Sequence, residues 1–159
     1  MSLFEGRCKN LVSGRIVAAI LSLCCGVGSA QAALGGDAAS VEADQAKMNA
    51  SSQITAATGY AVHELRTSTG LTVREYMADG GKVFAITWQG PMLPNLRLLL
   101  GGYFDAYAAA ARARHGGHGH LVVTQGDLVV ESSGHMRDFF GRAYLSQQLP
   151  TGVGLADIQ

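Results

Sequence analysis

Apolar side chains recur at every second position through several short segments of the chain, and each such run predicts a strand with one face turned inward. GYAVHELRT and LTVREYM flank Ser68-Thr69-Gly70, a glycine-bearing connection that reads as a hairpin. In the second run Leu71, Val73, Glu75 and Met77 alternate with Thr72, Arg74, Tyr76 and Ala78. Asp79-Gly80-Gly81 then offers a tight turn, since glycine enters positive φ without a Cβ clash. KVFAITW follows, with Phe84, Ile86 and Trp88 on one face and Val83, Ala85 and Thr87 on the other. Both faces are largely apolar, which predicts a central strand.

Past Gly90-Pro91 and Pro94 the period lengthens. PNLRLLLGGYFDAYAAAARAR places Leu96, Leu99, Leu100, Tyr103, Tyr107 and Ala110 on one side of a helix, with Gly101, Asp105 and Arg112 opposite. Pro94 suits the first helical turn, and Asn95 can cap it. Gly101-Gly102 costs about 2 kcal/mol against two alanines, so a bend is expected there, with a small-residue groove for a partner as the alternative. After the loop RHGGHGH come HLVVT and DLVVESS around Gln125-Gly126, and then FFGRAYL beyond Gly134-His135. The order β-β-β-α-β-β-β predicts an α+β domain, an antiparallel sheet of about six strands covered by one long helix.

The ends read differently. Residues 33–57 are rich in Ala, Ser and Asp and keep no clean period. They are expected to form a mobile N-terminal segment with at most a short helix near Val41 to Asn49. Residues 58–150 make the single domain and 151–159 an extended tail. Arg7, Lys9 and Arg15, the apolar run IVAAILSLCCGV and the closing Ala30-Gln31-Ala32 have the three-part form of a secretory signal peptide over residues 1–32. The apolar run is shorter than the roughly 20 residues of a membrane span, so the cleaved form is expected not to span a membrane. An uncleaved anchor is the alternative. Leu23 before Cys24 argues against a lipoprotein, where a small residue is expected.

Cleavage changes the chemistry on offer. Cys8, Cys24 and Cys25 leave with the signal, so the exported chain has no disulfide and no thiolate. Of 12 basic and 12 acidic residues, Arg7, Lys9, Arg15 and Glu5 also leave, and 9 against 11 remain. No basic stripe is present, which argues against nucleic acid as a partner.

Three constellations are candidates for function. His115, His118 and His120 could give imidazole nitrogens to zinc, copper or nickel. The intervening glycines make that loop costly to order, at roughly 1–2 kcal/mol per residue, and Arg112 and Arg114 repel a cation. A loose connection is the simpler expectation, and no cofactor is expected. Glu131-Ser132-Ser133-Gly134-His135-Met136-Arg137-Asp138 gathers serine, histidine and acid, so a small secreted hydrolase using His135 with a nearby serine or acid is one alternative. There is no G-x-S-x-G elbow, and triads are assembled from separated segments. Trp88, Pro91, Met92, Leu93 and Pro94, with Gly101 and Tyr103 on the helix, form the third, a partner-binding corner or a staple between helix and sheet. Arg74 and Glu75 read as exposed strand residues.

Several segments carry a resemblance. Arg74-Glu75-Tyr76, VFAITWQGPMLPNLRLLLGGYF, DLVVESSGHM, Gly141-Arg142-Ala143-Tyr144 and Leu149-Pro150-x-Gly152-Val153 resemble the secreted bacterial proteins grouped as domain of unknown function 2844. The resemblance covers most of the domain and includes Ala33-Leu34-Gly35. It implies export and a compact domain, and it implies no catalytic residues. The family pattern has an acidic residue where this chain has Asn95, and the three clustered histidines are not part of it. The leading expectation is a non-catalytic binding or envelope-accessory module, periplasmic or extracellular, whose partner is an unidentified envelope or extracellular protein or ligand. Metal binding through the histidine loop is the second alternative.

Overall fold

The computed structural model describes residues 34–113 and 119–159. Residues 1–33, with the expected signal segment, and residues 114–118 lie outside these. Seven strands form one antiparallel sheet: β1 (Ser51–Ala57), β2 (Tyr60–Arg66), β3 (Thr72–Ala78), β4 (Val83–Gly90), β5 (Leu121–Gln125), β6 (Leu128–His135) and β7 (Asp138–Leu145). Helix α1 (Ala38–Met48) precedes them, and α2 (Leu96–Leu100), a 3-10 turn (Gly101–Tyr103) and α3 (Phe104–Ala113) lie between β4 and β5.

The strand order is β1-β2-β3-β4-β7-β6-β5. Four strands run as a meander, the helical excursion carries the chain past two strand positions, and a second meander returns so that β7 lies against β4. This is the expected α+β class, with seven strands in place of six. The additional strand is β1, in the stretch expected to be mobile. All seven of its residues are exposed, so it had no inward face to leave an alternating pattern. It is held instead by its ladder to β2 across the turn Thr58-Gly59, where Gly59 has φ +85°.

The rest of that stretch is also ordered. Asp37 caps α1 by accepting from the Ser40 amide, and Asn49 closes it in the left-handed region at φ 49°. Ahead of it Leu34 N donates to Leu99 O at 3.1 Å, and Gly35 N donates to Val83 O at 2.8 Å. The start of the domain is thereby stitched to both the helix and the central strand.

The long helix is broken. Asn95 caps α2 with its side-chain oxygen on the Leu98 amide, and Pro94 lies one residue ahead of the cap rather than in the first turn. Gly101 then adopts φ 50° and ψ −120°, a conformation open essentially to glycine alone, and it ends α2. Arg97 bridges the break, its guanidinium 4.2 Å from the Phe104 ring centroid and 3.5 Å from Asp105. The expected inward side survives the bend: Leu96, Leu99 and Leu100 are buried, and Tyr103 and Tyr107 pack at the rim of the same cluster.

Two apolar clusters occupy the two faces. Under the helices, Leu65, Val73, Ile86, Trp88, Val130, Ala143 and Leu145 meet Val41 of α1 and the leucines of α2. On the opposite face Tyr76, Phe84, Ala85 and Tyr144 gather around Ile158 of the C-terminal segment.

Candidate functional site

Register explains why the second face carries the chemistry. Glu64 pairs with Arg74, Arg74 with Thr87, Thr87 with Arg142 and Arg142 with Glu131. Side chains on directly opposed residues share a face, so these five cross the sheet as one polar row on the side away from the helices. Arg74 Nε donates to Glu64 at 2.7 Å, and Arg142 Nε donates to Glu131 at 2.9 Å. The Arg74 hydrogen bond is the main reason the Glu64 carboxyl sits below its usual range, with Arg66 adding to it.

The C-terminal segment lies over this row. Ile158, 1% exposed, fills the apolar cluster. Gln159 is held from three sides: its main-chain oxygen accepts from Tyr76 Oη at 2.6 Å, Arg74 Nη1 at 3.1 Å and Thr87 Oγ1 at 3.2 Å. Its amide donates back to Tyr76 Oη at 3.0 Å. Arg142 Nη1 holds Leu155 O at 3.0 Å. Beside the segment, between it and β6–β7, is a groove of about 370 Å³ whose lining includes Thr87, Gln89, His120, Ser133, Phe140 and Arg142. On its other side a second hollow of about 460 Å³ opens toward Gln53, Thr55, Val62 and Arg66.

The helix-covered face holds a second polar group. Glu75 is fully buried, and His63, directly opposite on β2, is nearly so. Asp44 of α1 is buried close enough that its charge acts on Glu75. Burial foremost, with Asp44 adding, pushes the Glu75 carboxyl up to about 8, while burial pulls the His63 imidazole down. Glu75 is therefore not the exposed strand residue expected. The alternation of Leu71, Val73, Glu75 and Met77 already placed it on an apolar face, and that was the signal to follow.

Trp88 is 2% exposed, its indole laid over Gly141 within the helix-side core. Pro94 is buried as well, whereas Pro91, Met92 and Leu93 are exposed, and Gly101 and Tyr103 are half-buried at the helix break. The expected corner residues thus divide between interior and surface. His120 lies exposed at the mouth of the groove, while His115 and His118 fall outside the described residues. Among the described residues no three metal-ligating side chains converge. His135 stands exposed at the β6–β7 turn opposite Asp138, and no hydrogen bond among the described residues joins it to a serine or a carboxylate. The donors Arg74, Tyr76, Thr87 and Arg142 were missed as a set because only the registers of β3 with β4 and of β4 with the distant β7 bring them together.

The fold and this face describe an α+β domain with helices on one side of an antiparallel sheet and a partly filled groove on the other. The family described as Protein of unknown function (DUF2844) matches residues 30–158, and the chain belongs to it. No curated protein and no solved structure matches the chain. Among the described residues no helix is long and apolar enough to cross a membrane.

Proposed function

We propose that the protein is an exported, non-catalytic binding module, periplasmic or extracellular, which receives its ligand in the groove between the C-terminal segment and strands β6–β7. One observation carries this reading. The 370 Å³ groove combines the Phe140 ring with convergent polar groups from Thr87, Gln89, Ser133 and Arg142, the mixture of apolar wall and few directional groups that ligand sites use. Its volume matches a ligand of modest size, since such sites span roughly 300–1,000 Å³. The N-terminal signal pattern supports export.

The test is a screen of short peptides and small glycans against isotope-labelled protein, read as amide chemical-shift changes. Shifts concentrated at Thr87, Gln89, Ser133 and Phe140, and abolished by Ser133→Trp, are the expected result. A ligand that moves only residues elsewhere on the domain would remove the groove from consideration. Mass analysis of protein recovered from the exported fraction gives a chain beginning at Ala33 if the signal reading is right.

A further inference from the structure

Three donors, Arg74 Nη1, Tyr76 Oη and Thr87 Oγ1, converge on the main-chain oxygen of Gln159. One of the three is a guanidinium, which makes that contact charge-assisted toward an anionic acceptor. Such a donor set suits a carboxylate oxygen. Both main-chain groups of the same residue are read, because Tyr76 Oη also accepts from the Gln159 amide. One residue earlier, Ile158 occupies a pocket formed by Tyr76, Phe84 and Tyr144. The arrangement has the parts of a peptide receptor: an anion grip and, beside it, a side-chain pocket.

The segment that fills this receptor is held by side chains. Among the described residues no main-chain hydrogen bond joins residues 150–159 to a strand; their main-chain bonds are turns of their own, such as Asp157 N to Gly154 O at 3.0 Å. Lifting it breaks no ladder. Hollows on either side of Gln159 both reach Arg74, so unfilled space continues from the grip in two directions.

We propose that Arg74, Tyr76 and Thr87, with the Ile158 pocket, form a receptor for a peptide that carries a carboxylate next to a branched aliphatic residue, and that residues 154–159 occupy it in cis. The proposal rests on reading this face as the ligand site and names the ligand's class. A tethered segment competes at an effective concentration on the order of millimolar, so a peptide in trans binds weakly until the tether is released.

The test uses the full chain and a fluorescein-labelled Gly-Leu-Ala-Asp-Ile-Gln peptide, followed by anisotropy. Ile158→Asp expels the cis segment and is expected to tighten binding by at least about tenfold over the unaltered chain. Amidating the peptide, or adding Arg74→Met and Thr87→Val to the Ile158→Asp chain, reverses that gain. Should Ile158→Asp lose its circular dichroism spectrum, the milder Ile158→Ala gives a smaller gain in the same direction. A folded variant with no saturable uptake at concentrations on the order of 1 mM, or with equal affinity for acid and amide, overturns the proposal. If groove-confined shifts with other ligands persist in that case, the peptide receptor falls and the binding-module reading stands. If they are missing too, both fall.

Discussion

His63 and Glu75 face each other across the β2–β3 ladder on the helix-covered side of the sheet. Among the described residues neither Glu75 oxygen and not the His63 Nε2 has a hydrogen-bond partner. Uncompensated buried polar atoms weaken a domain, and the protein limits the cost by keeping both groups uncharged: the glutamate holds its proton and the histidine gives its proton up.

The pH dependence follows. The unfolded chain releases the Glu75 proton near the ordinary carboxylate value, whereas the folded chain holds it to about 8. This contribution to stability is therefore complete below the ordinary value and is lost as pH rises, levelling off above about 8. Glu75→Gln cannot ionise and removes the slope, which amounts to at most about 1.4 kcal/mol per pH unit in that window. Urea denaturation across the window is expected to show the variant gaining on the parent as pH increases. Parallel curves for the two proteins would refute the assignment.

Gly141 has a packing role that its strand position does not announce. A Cβ there would collide with the Glu131 carbonyl oxygen and with Trp88 Cζ2, and would lie 2.7 Å from Trp88 Cε2. Gly141→Ala is expected to cost about 3 kcal/mol by overpacking. Trp88→Leu in the same chain recovers only part of this, because the backbone collision persists. A double-mutant cycle by chemical denaturation reads the coupling, and strict additivity would show that the indole does not need the glycine.

The two glycines of the helix break should respond in opposite ways. Gly101→Ala forces a side chain into φ 50°, ψ −120° and is expected to lose about 1–3 kcal/mol. Gly102 has open space where a Cβ would go, so Gly102→Ala should be neutral or stabilising by up to about 1 kcal/mol. Thermal melts of the two single variants decide it, and equal losses would place the bend elsewhere.

Strand β1 presents an uncharged edge, with Ile54 62% exposed. Unprotected edges pair with other chains. Ile54→Lys is expected to leave folding stability within about 0.5 kcal/mol while lowering concentration-dependent association. Light scattering against concentration tests this, and unchanged scattering would mean that the edge is not the sticky surface.

Much of the framework was legible. Six strands and the inward side of α2–α3 follow from period alone, because a strand or helix that buries one face must repeat its apolar residues at its own spacing. Asn95 as a cap was legible for the same local reason. Strand β1 was not, since nothing on it is buried and only its partner β2 keeps it extended. The candidate site was the least legible part. His115, His118 and His120 drew attention through their spacing, whereas Arg74, Tyr76 and Thr87 look like ordinary strand residues.

By itself, then, the sequence determined six of the seven strands, most of their inward faces and membership of its family, all of which depend on neighbours within a few residues. On β4 the expected faces failed at the start, where a register shift at Tyr76/Met77 puts Val83 with Ile86 and Trp88 and turns Phe84 to the opposite face with Ala85. Tertiary structure alone decided that β7 lies beside β4, that Trp88 crosses Gly141, that Glu75 is sealed beneath α1, and that the final residues lie on the opposite face. Each of these joins positions far apart along the chain, and only the registers of paired strands and the shape left between packed elements bring them together.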